Sequence, residues 1–122
     1  MRPPVFIDTG YVLALVNTAD EYHARAVAAS QSVRPPFITT EAVLTEIGNG
    51  LSHVRWHALG YATIQDLRTD PDIEIVPVDA TLFDHAVTLY GARSDKEWGL
   101  TDCVLSSSNG SGQALRQKQA AL

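Results

Sequence analysis

Short apolar runs alternate with amphipathic stretches along this chain. Val5-Phe6-Ile7-Asp8 reads as a buried strand whose last residue is a carboxylate. Tyr11–Val16 and Asp20–Val33 then read as helices. Asp20 is a candidate N-cap of the second, and Ala24, Val27 and Ala28 form its apolar stripe. Pro35-Pro36 ends that helix, because proline and the residue before it both resist helical continuation. Phe37-Ile38-Thr39 predicts a second strand. Thr40 is the predicted N-cap of the helix after it, with Glu41 at its positive end, and that helix runs to about Leu51.

Val54–Leu67 carries the next helical pattern, with Trp56, Leu59, Ile64 and Leu67 as core positions. Asp70-Pro71-Asp72 is a turn, and Ile73–Val78 a third strand in which Pro77 must lie at an edge or end of pairing. Asp79 caps a helix through about Ala92, with Leu82, Phe83, Ala86, Val87 and Tyr90 on its apolar face. Ser94–Gly99 is a loop and Leu100–Leu105 begins another helix. The order βααβααβαα predicts an α/β fold: a short parallel sheet with right-handed crossovers and helices on both faces.

The pattern breaks after Leu105. Ser106-Ser107-Ser108-Asn109-Gly110-Ser111-Gly112 is linker-like, and Gln113–Leu122 is polar with a few alanines. Residues 1–105 are therefore expected to form the domain and residues 106–122 a flexible, solvated tail. The abrupt change of composition suits a frameshift or truncation of a longer gene.

Composition narrows the classes. With 122 residues the chain suits one domain; 45% hydrophobic and 19% charged residues exclude intrinsic disorder. The apolar stretches are too short for a membrane span, and no secretory pattern opens the chain. The single cysteine, Cys103, rules out an internal disulfide and fits a reducing cytosol. A net charge of −5 argues against gripping nucleic acid by charge alone, although bound divalent cations would offset clustered acids locally.

Three acids stand in apolar company: Asp8 at the end of a strand, Glu46 beside Val43 and Ile47 on a helix, and Asp102 in a first helical turn with Leu100, Val104 and Leu105. Singly, each has a plain structural reading as a cap or a surface residue. Near one end of a small sheet, however, they would repel one another unless cations neutralised them. Hard oxygen ligands of this kind suit Mg2+ or Mn2+, which can serve phosphodiester hydrolysis.

Val5-Phe6-Ile7-Asp8-Thr9, Thr39-Thr40-Glu41-Ala42-Val43-Leu44-Thr45-Glu46 and Asp95-Lys96-Glu97-Trp98-Gly99-Leu100-Thr101-Asp102-Cys103 resemble the motifs of PIN-domain proteins, the fold of VapC-type toxin ribonucleases. The resemblance implies a PIN-like three-layer sandwich and a metal-dependent endoribonuclease. It matches Asp8, Glu46 and Asp102 to the first three acids that bind Mg2+ or Mn2+, and Thr9 to the hydroxyl residue that assists the first. It further implies an RNA substrate, an antitoxin partner, homodimerisation and a cytoplasmic location, with no membrane. PIN domains usually continue to a last strand with a Thr-x-Asp segment, whereas this chain has Ser106-Ser107-Ser108-Asn109-Gly110. The last strand and fourth acid are thus expected to be missing. That departure motivates an alternative: a catalytically impaired PIN fold acting as a nucleic-acid- or protein-binding module. Asp95, seven residues before Asp102, could supply a substitute carboxylate, or simply belong to a capping box or an exposed loop.

Other motifs carry less. Asp8-Thr9-Gly10 is also the signature of retroviral-type aspartic proteases, but those are nearly all β and here the motif runs into helical patterns. A strand-end phosphotransfer site would need a second acid close to Asp8, or further Lys and Ser/Thr at strand ends. His53 and His57 have metal spacing without a third ligand, and with Arg55 and Arg68 could make a modest basic patch. Cys103 reads as a small core residue, and Trp56 and Trp98 as packing anchors.

Overall fold

Strand β1 is short, Val5–Phe6, and the Ile7 N–H after it still donates to the Ile38 carbonyl. In the computed structural model, which describes residues 3–95, 97 and 99–109, the order continues α1 (Thr9–Val16), α2 (His23–Ser32), β2 (Phe37–Thr40), α3 (Glu41–Gly50), α4 (Val54–Thr69), β3 (Ile73–Val76), α5 (Ala80–Ala92) and α6 (Leu100–Asn109). The strands form one parallel sheet in the order β1-β2-β3, with Val5 opposite Phe37 and Phe37 opposite Ile73. Parallel neighbours in this order require crossovers, which the helix pairs α1–α2 and α3–α4 supply. The expected α/β fold with a short parallel sheet is therefore present.

Pleat alternation assigns the two faces. Val5, Phe37 and Ile73 share one face and line an apolar groove of about 480 Å3 with residues of α1, α2 and α4, among them Val12, Leu15 and Leu67. Phe6 and Ile38 share the other, and they join a core cluster with Ile7, Val12, Val43, Leu44, Ile47, Leu51 and Leu105. Trp56, Leu59, Ile64 and Leu67 pack against this cluster as the helical spacing predicts. A second cluster of Ala86, Cys103 and Val104 joins α5 to α6, with Val78, Leu82, Leu89 and Leu100 around it. Helix α6 thus belongs to both: Val104 faces one core and Leu105 the other.

Several local expectations hold. The Thr40 hydroxyl accepts a hydrogen bond from the Val43 N–H, and the Asp79 carboxylate one from the Leu82 N–H, so both residues cap their helices. β3 stops at Val76, immediately before Pro77, which has no N–H to give to the ladder. Thr40 is fully buried, so truncating it strands the Val43 N–H away from water. Thr40→Ala is accordingly expected to cost about 1–2 kcal/mol and lower the melting temperature by about 4–10 °C, measured by circular dichroism.

Others do not. α2 starts at His23, not Asp20, because the Asp20 carboxylate closes a turn by accepting from the Tyr22 N–H at 2.8 Å. α5 turns a different seam to the core. Leu82, Ala86 and Leu89 face α6, whereas Phe83, Val87 and Tyr90 are exposed. α6 continues to Asn109, past the Leu105 boundary, since serine is only mildly unfavourable in a helix and Leu105 anchors the turn below it. Trp98 and residues 110–122 lie outside the described residues, and with them most of the expected tail.

Candidate active site

β1 delivers Asp8 to the carboxyl end of the sheet, where open parallel sheets present their ligand sites. The residue is 3% exposed and sits at the N-cap position of α1, with extended backbone and no side-chain bond to the helix. Thr9 follows as the first helical residue, and its hydroxyl donates to Glu46 Oε1 at 2.8 Å. That bond spans 37 residues and joins α1 to α3. Behind it, the buried Thr39 hydroxyl donates to the Ile7 carbonyl at 2.7 Å, tying β2 to the chain just before Asp8. The structure therefore brings Asp8, Thr9 and Glu46 into one neighbourhood.

Asp102 is placed by a different device. Its Oδ2 accepts from the Gly99 N–H at 3.0 Å while the Cys103 N–H donates to the Gly99 carbonyl. This is the acid half of a capping box: Gly99 stands at the N-cap position, Asp102 at N3 reaches back to its N–H, and the Cys103 bond is the first of the helix. Thr101, next to it, lines a cavity with Glu46, Glu41, Thr45 and Phe83, so the first turn of α6 stands across that cavity from the second acid. Asp95 lies in an exposed turn, where Oδ1 is 3.4 Å from Arg93 Nε, an ion pair of small energetic weight at a surface.

Among the described residues, no group of three or more His, Cys, Asp or Glu side chains converges to hold a metal ion. The donors present suit Mg2+ or Mn2+ nonetheless. All are hard oxygens, and Mg2+ is typically held by one or two carboxylates, with waters and substrate phosphates filling the other positions. Asp8 and Glu46, linked through Thr9, are a set of that kind.

The electrostatics settle two further residues. Burial pushes the Tyr11 phenol above its usual range, the Asp8 charge adds to the shift, and a hydrogen bond with Ser30 opposes it. Tyr11 stays protonated near neutral pH. Burial also raises the Cys103 thiol, with the Asp102 charge beside it acting the same way, so Cys103 is a core residue and no thiolate nucleophile. His53 caps α4, its Nδ1 accepting from the Arg55 N–H at 3.1 Å, which replaces the metal reading of the His53/His57 pair. Trp56 does pack against the core, with Arg55 stacked over its ring.

Sequence reasoning missed Glu41 as a tether. Its Oε1 accepts from the Val78 N–H at 2.8 Å, pinning the β3–α5 loop to α3. It also missed that Phe83 stands at the same cavity as Glu46. The first contact is 37 residues apart in sequence, and no local pattern signals it.

The family model of the PIN domain matches residues 5–108. A similar solved structure is that of Mycobacterium tuberculosis VapC20, a toxin that cleaves the sarcin-ricin loop. It is 23% identical, with a TM-score of 0.77 over 94% of this chain and 83% of that one. At that identity the likeness speaks for the fold. No curated protein sequence matches the chain.

Proposed function

The chain belongs to the PIN-domain family, and on that footing we propose that it is a metal-dependent endoribonuclease, hydrolysing RNA phosphodiesters as the toxin of a toxin–antitoxin pair. The observation that carries the reading is the Thr9–Glu46 hydrogen bond beside the buried Asp8 at the carboxyl end of the sheet. Asp8, Glu46 and Asp102 are the proposed ligands of Mg2+ or Mn2+. When bound, the cation supplies Lewis-acid polarisation of the phosphate and acidifies an attacking water.

The chain's own residues prepare that chemistry. Thr9 holds one Glu46 oxygen and restricts the rotamers of the side chain. The Gly99 N–H does the same for Asp102, and Asp95 assists from the turn before α6. The layer of Ile7, Ile38, Val43 and Ile47 beneath the acids keeps water from below the site. An antitoxin finds a seat in the apolar groove of α1, α2 and α4, which suits the apolar face of an amphipathic partner segment. Homodimerisation and a cytoplasmic location complete the proposal. No described helix is long and apolar enough to cross a membrane.

The test is cation dependence. The chain should cleave single-stranded RNA with Mn2+ or Mg2+, stop in EDTA, and recover when Mn2+ is added in excess. Cleavage that persists in EDTA sinks the metal assignment. A second reading has its own support: Asp102 already serves as a helix cap, and no three acids converge among the described residues. This is a PIN fold that binds nucleic acid or protein without cutting. RNA left intact with both cations would select it.

A further inference from the structure

The cavity that holds Glu46 has room and walls for more than a phosphate. Its volume is about 520 Å3, and Ala42, Val78, Phe83, Leu100 and Val104 form its apolar walls. Two of its polar side chains are engaged with backbone: Glu41 accepts from the Val78 N–H, and the Thr45 hydroxyl donates to the Glu41 carbonyl. Phe83 contributes an aromatic ring that is 45% exposed, on the seam of α5 turned away from the core.

We propose that this cavity receives an unpaired base of the RNA substrate, stacked on the Phe83 ring next to the phosphate that a cation at Glu46 would hold. The proposal rests on the nuclease reading above and adds the element that reading lacks. A chain of net charge −5 gains little from phosphate contacts, so affinity for RNA must come from elsewhere. Stacking on an aromatic ring supplies it without regard to charge. A base held in a duplex cannot enter such a cavity, which selects loops, bulges and single strands. With apolar walls and two of the polar groups already engaged, the site reads the face of the base more than its edge. The preference at this position is therefore for an unpaired base, with little discrimination among the four. Val87 and Tyr90 extend the exposed apolar stripe from the cavity along α5. Tyr90, about 10 Å further along the axis, offers the next base a second platform.

The test uses the full chain with Mg2+ and two fluorescein-labelled probes: an unpaired ten-nucleotide RNA of mixed sequence, and a ribose-phosphate oligomer of the same length without bases. In fluorescence anisotropy, Phe83→Ala and Phe83→Leu should weaken binding of the RNA by about 5- to 150-fold and leave the base-free oligomer unchanged. Phe83→Trp and Phe83→Tyr should restore it. Phe83→Leu keeps the apolar bulk and so separates loss of the ring from loss of fold. The ratio of parent to variant affinity should stay constant from 50 to 200 mM salt, since stacking releases no counterions. In cleavage assays with Mn2+, KM should rise with little change in kcat.

Parent cleavage that stops in EDTA, combined with variants that bind RNA like the parent, would overturn the base pocket and leave the nuclease reading standing. RNA bound through Phe83 but never cut would support the pocket and sink the nuclease reading. Equal binding of the two probes by the parent overturns the pocket. So does a Phe83→Ala variant that sediments as a monomer from a dimeric parent with RNA affinity intact, which would make the stripe a face between copies.

Discussion

Asp8→Asn is expected to lower cation-dependent RNA cleavage by at least about 100-fold while the protein melts no lower than the parent. The amide matches the carboxylate in shape, so packing is kept. What is lost is the negative charge at a position only 3% exposed. A divalent cation needs that charge, and removing even an outer-shell partner of a metal ligand typically costs about 10- to 100-fold. The fold depends far less on that charge, because the amide keeps the side chain's shape and one of its acceptor oxygens. Activity and stability should therefore separate, as they do where a site is built at the expense of the fold. Cleavage rates in Mn2+ and a circular dichroism melt check this. Retained cleavage would remove Asp8 from the site, and a large drop in melting temperature would make it a structural residue instead.

Leu105→Ala is expected to have the opposite profile. The side chain is 1% exposed and packs in the cluster that holds Phe6, Ile38 and Ile47. Truncating a buried leucine costs about 2–5 kcal/mol, through lost transfer energy and the cavity left behind. For a domain of this size that is a substantial share of the total, and the melting temperature should fall by about 10–20 °C. Urea unfolding measures the loss directly. A change within about 0.5 kcal/mol would mean that the chain past Val104 contributes nothing to the core.

The order of elements was legible because strands and helices announce themselves locally. Thr40 and Asp79 cap where short-range chemistry says they must, and Pro77 ends its strand for want of an N–H. The orientation of α5 was not legible. Leu82, Ala86 and Leu89 recur at i, i+4 and i+7, and so do Phe83, Val87 and Tyr90, one residue further round. Both seams are equally apolar, and only packing against α6 decides between them. The extent of α6 was not legible either: a serine run resembles a linker, yet the helix that begins at Leu100 continues through it to Asn109, with Leu105 buried in the turn before.

In the site, the apolar company of Asp8 and Glu46 was visible from spacing, whereas the bond from Thr9 to Glu46 and the tether from Glu41 to Val78 depend on tertiary closure. Asp102 shows how two readings of one residue coexist. The acid at the head of α6 is a candidate ligand and at the same time the cap that starts the helix.

That helix has a consequence for how the molecule comes apart. Val104 is packed with α5 and Leu105 with the sheet, so any opening that displaces α6 disturbs both clusters. The two cores are therefore expected to unfold as one cooperative unit. Amide protons of α5, far from the sheet, should then exchange on the timescale of those in β2. The helix that carries Phe83 is held to the fold by an element whose first turn also carries the candidate ligand Asp102, so loosening of that element is expected to disturb the cavity and the head of α6 together.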